Sequence, residues 1–134
     1  MTASSLSFRA ATVFAVAGMV MGIAMAASHD HSVMPAHAHL NLIGWVSLFL
    51  IGIFYRLNPS MEANRVALSQ VMAWIAGTVI LTLGVAAVHL GYTSAEPVAV
   101  VGSLIVLADM VVFAVLVFRP VRKDTKAAQW SPAE

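Results

Sequence analysis

Five histidines carry most of the chemistry this sequence offers: His29, His31, His37, His39 and His89. Imidazole suits iron, copper and zinc, so a metal or a haem is the first ligand to consider. The chain has no cysteine, which excludes disulfides, thiolate metal sites, iron–sulfur clusters and covalent attachment of a c-type haem. Asp109 is a second candidate, because its carboxyl interrupts a long apolar run. No nucleophile, acid–base pair or nucleotide motif accompanies these groups, which weighs against catalysis by an isolated protomer.

The elements that must position these residues are membrane spans. Of 134 residues 60% are apolar and 10% charged, and the mean hydropathy is +0.89. A soluble domain is roughly 45–50% apolar and about 25% charged. Disorder is excluded by the scarcity of polar groups. Nucleic-acid binding finds no support in a net charge of +1 and scattered basic residues. Four stretches are long enough to cross a bilayer as helices, at about 20 residues each: 8–27, 36–57, 66–90 and 98–118. Barrel strands would need strict alternation, which is absent, so an all-α bundle of four transmembrane helices is expected. Pro35 and Pro97 stand where a proline opens a helix. Residues 119–134 are expected to be a cytoplasmic tail.

All seven basic residues fall at one pole: Arg9, Arg56, Arg65, Arg119, Arg122, Lys123 and Lys126. By the positive-inside rule both termini face the cytoplasm. The five histidines then gather at the opposite, outer pole, towards the periplasm if the membrane is a bacterial inner membrane. Arg9, the apolar run and the small residues Ala26 and Ala27 also allow a signal peptide cleaved near that point; retention as a span is the favoured expectation.

Helical phase sorts the histidines. At about 100° per residue, His37, Asn41, Gly44, Gly52 and Tyr55 share one stripe, which should face other helices. His39 lies nearly opposite. Thr78, Thr82 and His89 make a polar stripe on the third span that ends at the same pole. His37 and His89 are therefore the expected pair for one buried site, and a flat cofactor with one axial histidine from each helix, a b-type haem, would suit it.

The segment HAHLNLIGW, continuing as VSLFLIGIFYRLNP, resembles the second transmembrane helix of subunit I in the haem-copper oxidase superfamily. The resemblance implies haem binding, with His37 in the ligand position and His39 as its shifted rival. It covers only residues 36–59, and this chain is about a third of such a subunit's length. Electron transfer or gas and redox binding beside a respiratory-chain partner is the function it implies.

Two other readings stay open. His29 and His31, flanking Asp30 and near Met25 and Met34, together with His39, can serve as an outer loading site for copper, zinc or another divalent metal, the thioethers favouring Cu(I). Alternatively the chain is a non-catalytic assembly subunit of a respiratory complex. Gly77, Gly84 and Gly91 recur every seven residues and suit close packing, within the protomer or between copies in a homo-oligomer. Asp109 lies roughly 16 Å into the fourth span, with Ser47 and Thr78 at similar depth as hydrogen-bonding partners. Its role is a proton relay, a cation site or interhelical adhesion.

Overall fold

The computed structural model describes residues 1–119; the expected tail, with Arg122, Lys123 and Lys126, lies almost wholly outside the described residues. Four long apolar helices pack as a bundle. Helix α1 runs Ala3–Ser28 and α2 runs Met34–Leu57; a single turn, α3, covers Pro59–Glu62. Helix α4 spans Arg65–His89, and α5 spans Glu96–Val117 after a 3₁₀ turn at Thr93–Ala95. The apolar side chains left exposed on these helices, such as Val16, Leu50, Leu83 and Leu104, are solvated by lipid. This is a multi-pass membrane protein.

Local chemistry sets the helix ends. Thr2 caps α1 through a bond from the Ser5 amide, so the helix begins five residues before the apolar run at Phe8. Its other end is closed by His29 in the left-handed region, φ 55°, a conformation histidine tolerates better than most residues. Pro35 and Pro97 each occupy the first turn of a span, where a missing N–H costs nothing. Asn64 caps α4 by accepting from the Val66 amide at 3.0 Å.

Packing follows small residues. On the α1–α2 seam, Gly18 faces Asn41, Gly22 faces His37, Gly44 faces Phe14, and Gly52 faces Phe8 and Ser7. The stripe through His37, Asn41, Gly44 and Gly52 thus lies against α1. Helices α4 and α5 approach still more closely: Gly84 stands against the Ala99 backbone and Gly102 against that of Leu81. Gly77 rests on Ile105 and Val106. The seven-residue glycine spacing therefore serves packing inside the protomer at Gly77 and Gly84. Gly91 is different: it lies beyond the helix with φ 95° and open space around it, a turn position that favours glycine.

One element has no counterpart in the apolar pattern. Leu40–Ser47, in the middle of α2, winds as a π-helix. Such segments loosen the i→i+4 ladder, and side chains must then satisfy backbone groups that lipid cannot. Ser47 Oγ donates to the Leu42 carbonyl at 2.8 Å, and Trp74 Nε1 of α4 donates to the Ile43 carbonyl at 3.0 Å. Trp74, 1% exposed, fastens α4 to α2 at this point. Nearer the basic end, Phe113 of α5 meets Phe54 edge-on, with ring centroids 5.1 Å apart.

Candidate functional site

The two histidines at the start of α2 meet different surroundings. His37 turns towards α1, with Cε1 3.2 Å from where a Cβ on Gly22 would stand. Asn41 Nδ2 is bonded to the His37 carbonyl at 2.8 Å. It also lies within hydrogen-bonding distance of the ring nitrogens Nδ1 and Nε2, at 3.3 and 3.4 Å. That side of α2 is filled by α1. His39 faces the other way and lines a cleft of about 410 Å³ with Ile43, Ser47, Trp74, Leu81 and Ser103, among others. The cleft opens between α2, α4 and α5, where Leu107 and Met110 reach the lipid-facing surface.

The His39 ring is oriented by its own helix. Nδ1 lies 2.7 Å from the Pro35 carbonyl. A carbonyl only accepts, so Nδ1 carries the proton. In the neutral ring Nε2 then holds an unshared lone pair. A ring nitrogen held by a carbonyl while the other is left for a ligand is the arrangement found in metal-bound histidines.

His89 is exposed at the end of α4. Neither it nor His37 lines the His39 cleft, and no hydrogen bond among the described residues joins the two. Thr78 and Thr82 are buried, but Thr78 Oγ1 donates to the Trp74 carbonyl and Thr82 Oγ1 is unpartnered among the described residues. The outer turn is exposed as well. Asp30 there accepts from the Ser32 amide and hydroxyl, at 2.9 and 2.5 Å, bonds that hold its carboxyl below the ordinary value. Met25 is buried within the bundle while Met34 is exposed, so the two thioethers do not flank His29 and His31 alike. Among the described residues no group of three or more His, Asp or Glu side chains is gathered tightly enough to hold a metal ion.

Asp109 does not bond to Ser47 or Thr78. Those hydroxyls turn back onto carbonyls of their own helices, as short polar side chains do inside a helix. Gln70 of α4 takes the position instead, its Nε2 donating to Asp109 Oδ2 at 2.5 Å. Counted from the observed ends of α5, Asp109 is roughly 20 Å from the histidine end and about 12 Å from the basic end. It lies on the basic side of the middle rather than at it. Gln70 escaped the sequence reading because neither composition nor periodicity reports which of many interior positions meets a carboxyl 39 residues away.

Comparison with protein-family models, with curated proteins and with solved structures gives no match to this chain. The fold defines the class: a four-span helical membrane protein in contact with the lipid bilayer.

Proposed function

We propose that this protein binds haem b at the histidine end of the bundle and serves electron transfer or gas and redox binding there. The observation that carries the reading is His39, held by the Pro35 carbonyl so that Nε2 is available at an apolar cleft. Ligand sites of this kind combine apolar walls with a few placed polar groups. The resemblance of HAHLNLIGW to a haem-bearing helix points to the same short segment. His39 would hold the iron; Trp74, Leu81 and Ile43 would line the macrocycle's apolar faces. His37, closed in by Gly22 and Asn41, would support α1 packing instead. Bound haem supplies a redox-active iron whose potential depends on axial ligand and burial. The positive-inside distribution supports an orientation with this cleft on the non-cytoplasmic side, which in a bacterial inner membrane is the periplasm.

The test is an absorption spectrum of the detergent-purified protein, oxidised and reduced, with a pyridine haemochrome assay and haem supplied during expression. A Soret band retained in His37→Ala and lost in His39→Ala is the expected result. The converse pattern would return the ligand role to His37. A colourless protein would discard the haem reading. Metal analysis and co-purifying partners would then separate a copper or zinc site from an assembly role.

A further inference from the structure

Towards the basic end, a second polar assembly joins three spans. Tyr55 on α2, Gln70 on α4 and Asp109 on α5 are 0, 2 and 6% exposed. The Tyr55 hydroxyl donates to Gln70 Oε1 at 3.0 Å, and Gln70 Nε2 donates to Asp109 Oδ2. From the basic end, a cavity of about 80 Å³ reaches Tyr55, lined also by Ser60, Asn64 and Arg119. A space of that size and polarity has room for water. Tyr55 thus stands between this cavity, whose walls also include Met61, Val66, Ala67 and Leu116, and the Gln70–Asp109 pair inside the bundle.

We propose that Asp109 is a proton-exchange site, loaded and unloaded from the basic end through the Tyr55 cavity. The donor set favours the proton over a metal cation, because Asp109 is the one carboxylate of the assembly and no group of three or more His, Asp or Glu is gathered among the described residues. Hard cations need oxygen ligands, but the amide presents its N–H to Asp109 and its oxygen to Tyr55. Gln70 keeps Oδ2 as an acceptor. Oδ1 takes no hydrogen bond from any described residue and is the oxygen left for the proton. Loading carries one proton from hydronium in the cavity past Tyr55 to the Asp109 carboxylate: an O–H bond of hydronium breaks, water is left behind, and an O–H bond forms on Oδ1; unloading reverses this, and no electron moves.

Among the described residues the charged and titratable groups around the site are few; Arg56, next to Tyr55 on α2, is exposed. Tyr55 acts through Gln70 from α2. Arg119 lines the cavity beyond the end of α5. Arg65, at the start of α4, and Arg9 on α1 are exposed. Glu62 of α3 is engaged by Ser4. His39 lies on the far side, in the cleft that Met110 also lines.

Infrared spectroscopy of the protein in lipid vesicles tests this without reference to haem content. The expected signature is the carbonyl stretch of a protonated carboxyl that vanishes in Asp109→Asn and moves in frequency in Asp109→Glu. In wild type it should disappear as the pH is raised and shift promptly on transfer to D₂O. Tyr55→Phe should slow that shift markedly. Helix content by circular dichroism checks that each variant is folded, and Asp109→Glu identifies the band if the Asn variant is not. A band indifferent to pH and sealed from D₂O would make Asp109 fixed adhesion and overturn the proposal. So would the absence of any Asp109 band. Exchange unchanged in Tyr55→Phe would overturn the route.

Discussion

His37 and His39 stand two residues apart, and a helix sends such neighbours to different faces. That much is legible in the sequence, and so is the alignment of His37 with Asn41, Gly44 and Gly52. Which face meets a helix and which meets a cleft is not, because it depends on where α1 lies. Glu62 makes the same point at the other pole. Its carboxylate accepts from the Ser4 hydroxyl and, at 3.3 Å, from the Ser4 amide, tying α3 to the first turn of α1. The Ser4 hydroxyl bond is the main cause holding the Glu62 carboxyl below its ordinary 4.5; burial opposes it, and Thr2, the Ser4 amide and Arg56 assist. A lowered folded-state pKa means that the stabilisation is present above the unfolded value and is lost as pH falls through the folded one. Glu62 is only partly buried at the bundle's edge, so solvent screens the contact and the effect is under about 1 kcal/mol. The protection factors of amides at the start of α1, each taken against the intrinsic exchange rate at the same pH, should therefore fall when the pH drops from neutral to about 3. In Ser4→Ala that protection should already be lower at neutral pH and respond less to acid. Equal responses in both proteins would show that the contact contributes nothing.

At the scale of elements, the spans are readable to within a few residues because long apolar runs, prolines and caps act locally. The π-helical stretch is not readable. Leu40–Ser47 has a composition that suits an ordinary helix, and what accommodates the altered ladder is Trp74, 31 residues away from Ile43. The glycine stripe was legible as a packing surface, but its partner was not, since Gly77 and Gly84 could meet a second copy as well as α5. The close approach makes a sharp comparison. A Cβ at Gly84 would strike the Ala99 backbone, which cannot move without parting α4 from α5, whereas a Cβ at Gly22 would meet only the edge of the His37 ring. Gly84→Ala should cost about 2–3 kcal/mol, in the range of overpacked cores, and Gly22→Ala clearly less. Thermal unfolding of both variants in one detergent measures the order. Similar losses would mean that α4 and α5 are less closely engaged than their backbones indicate.

For the whole molecule, charge and chemistry are sorted to opposite ends. The cleft with His39 lies near one pole, and the Tyr55 cavity with Arg119 near the other. Under the proposed function, orientation decides what each site would meet: a periplasmic redox partner and cytoplasmic protons, or the reverse. The positive-inside rule assigns the basic end to the cytoplasm, and the absence of native cysteine makes this simple to test. Ser94→Cys places the sole thiol in the exposed turn before α5, and Ala63→Cys places it in the exposed connection before α4. A membrane-impermeant maleimide should label Ser94→Cys in intact cells whose outer membrane is permeable to it, and Ala63→Cys only after lysis. The reverse labelling would invert the bundle. The proton route at Asp109 would then open to the periplasm and the His39 cleft would face the cytoplasm. That result would leave the packing untouched and rule out a periplasmic electron donor for the cleft.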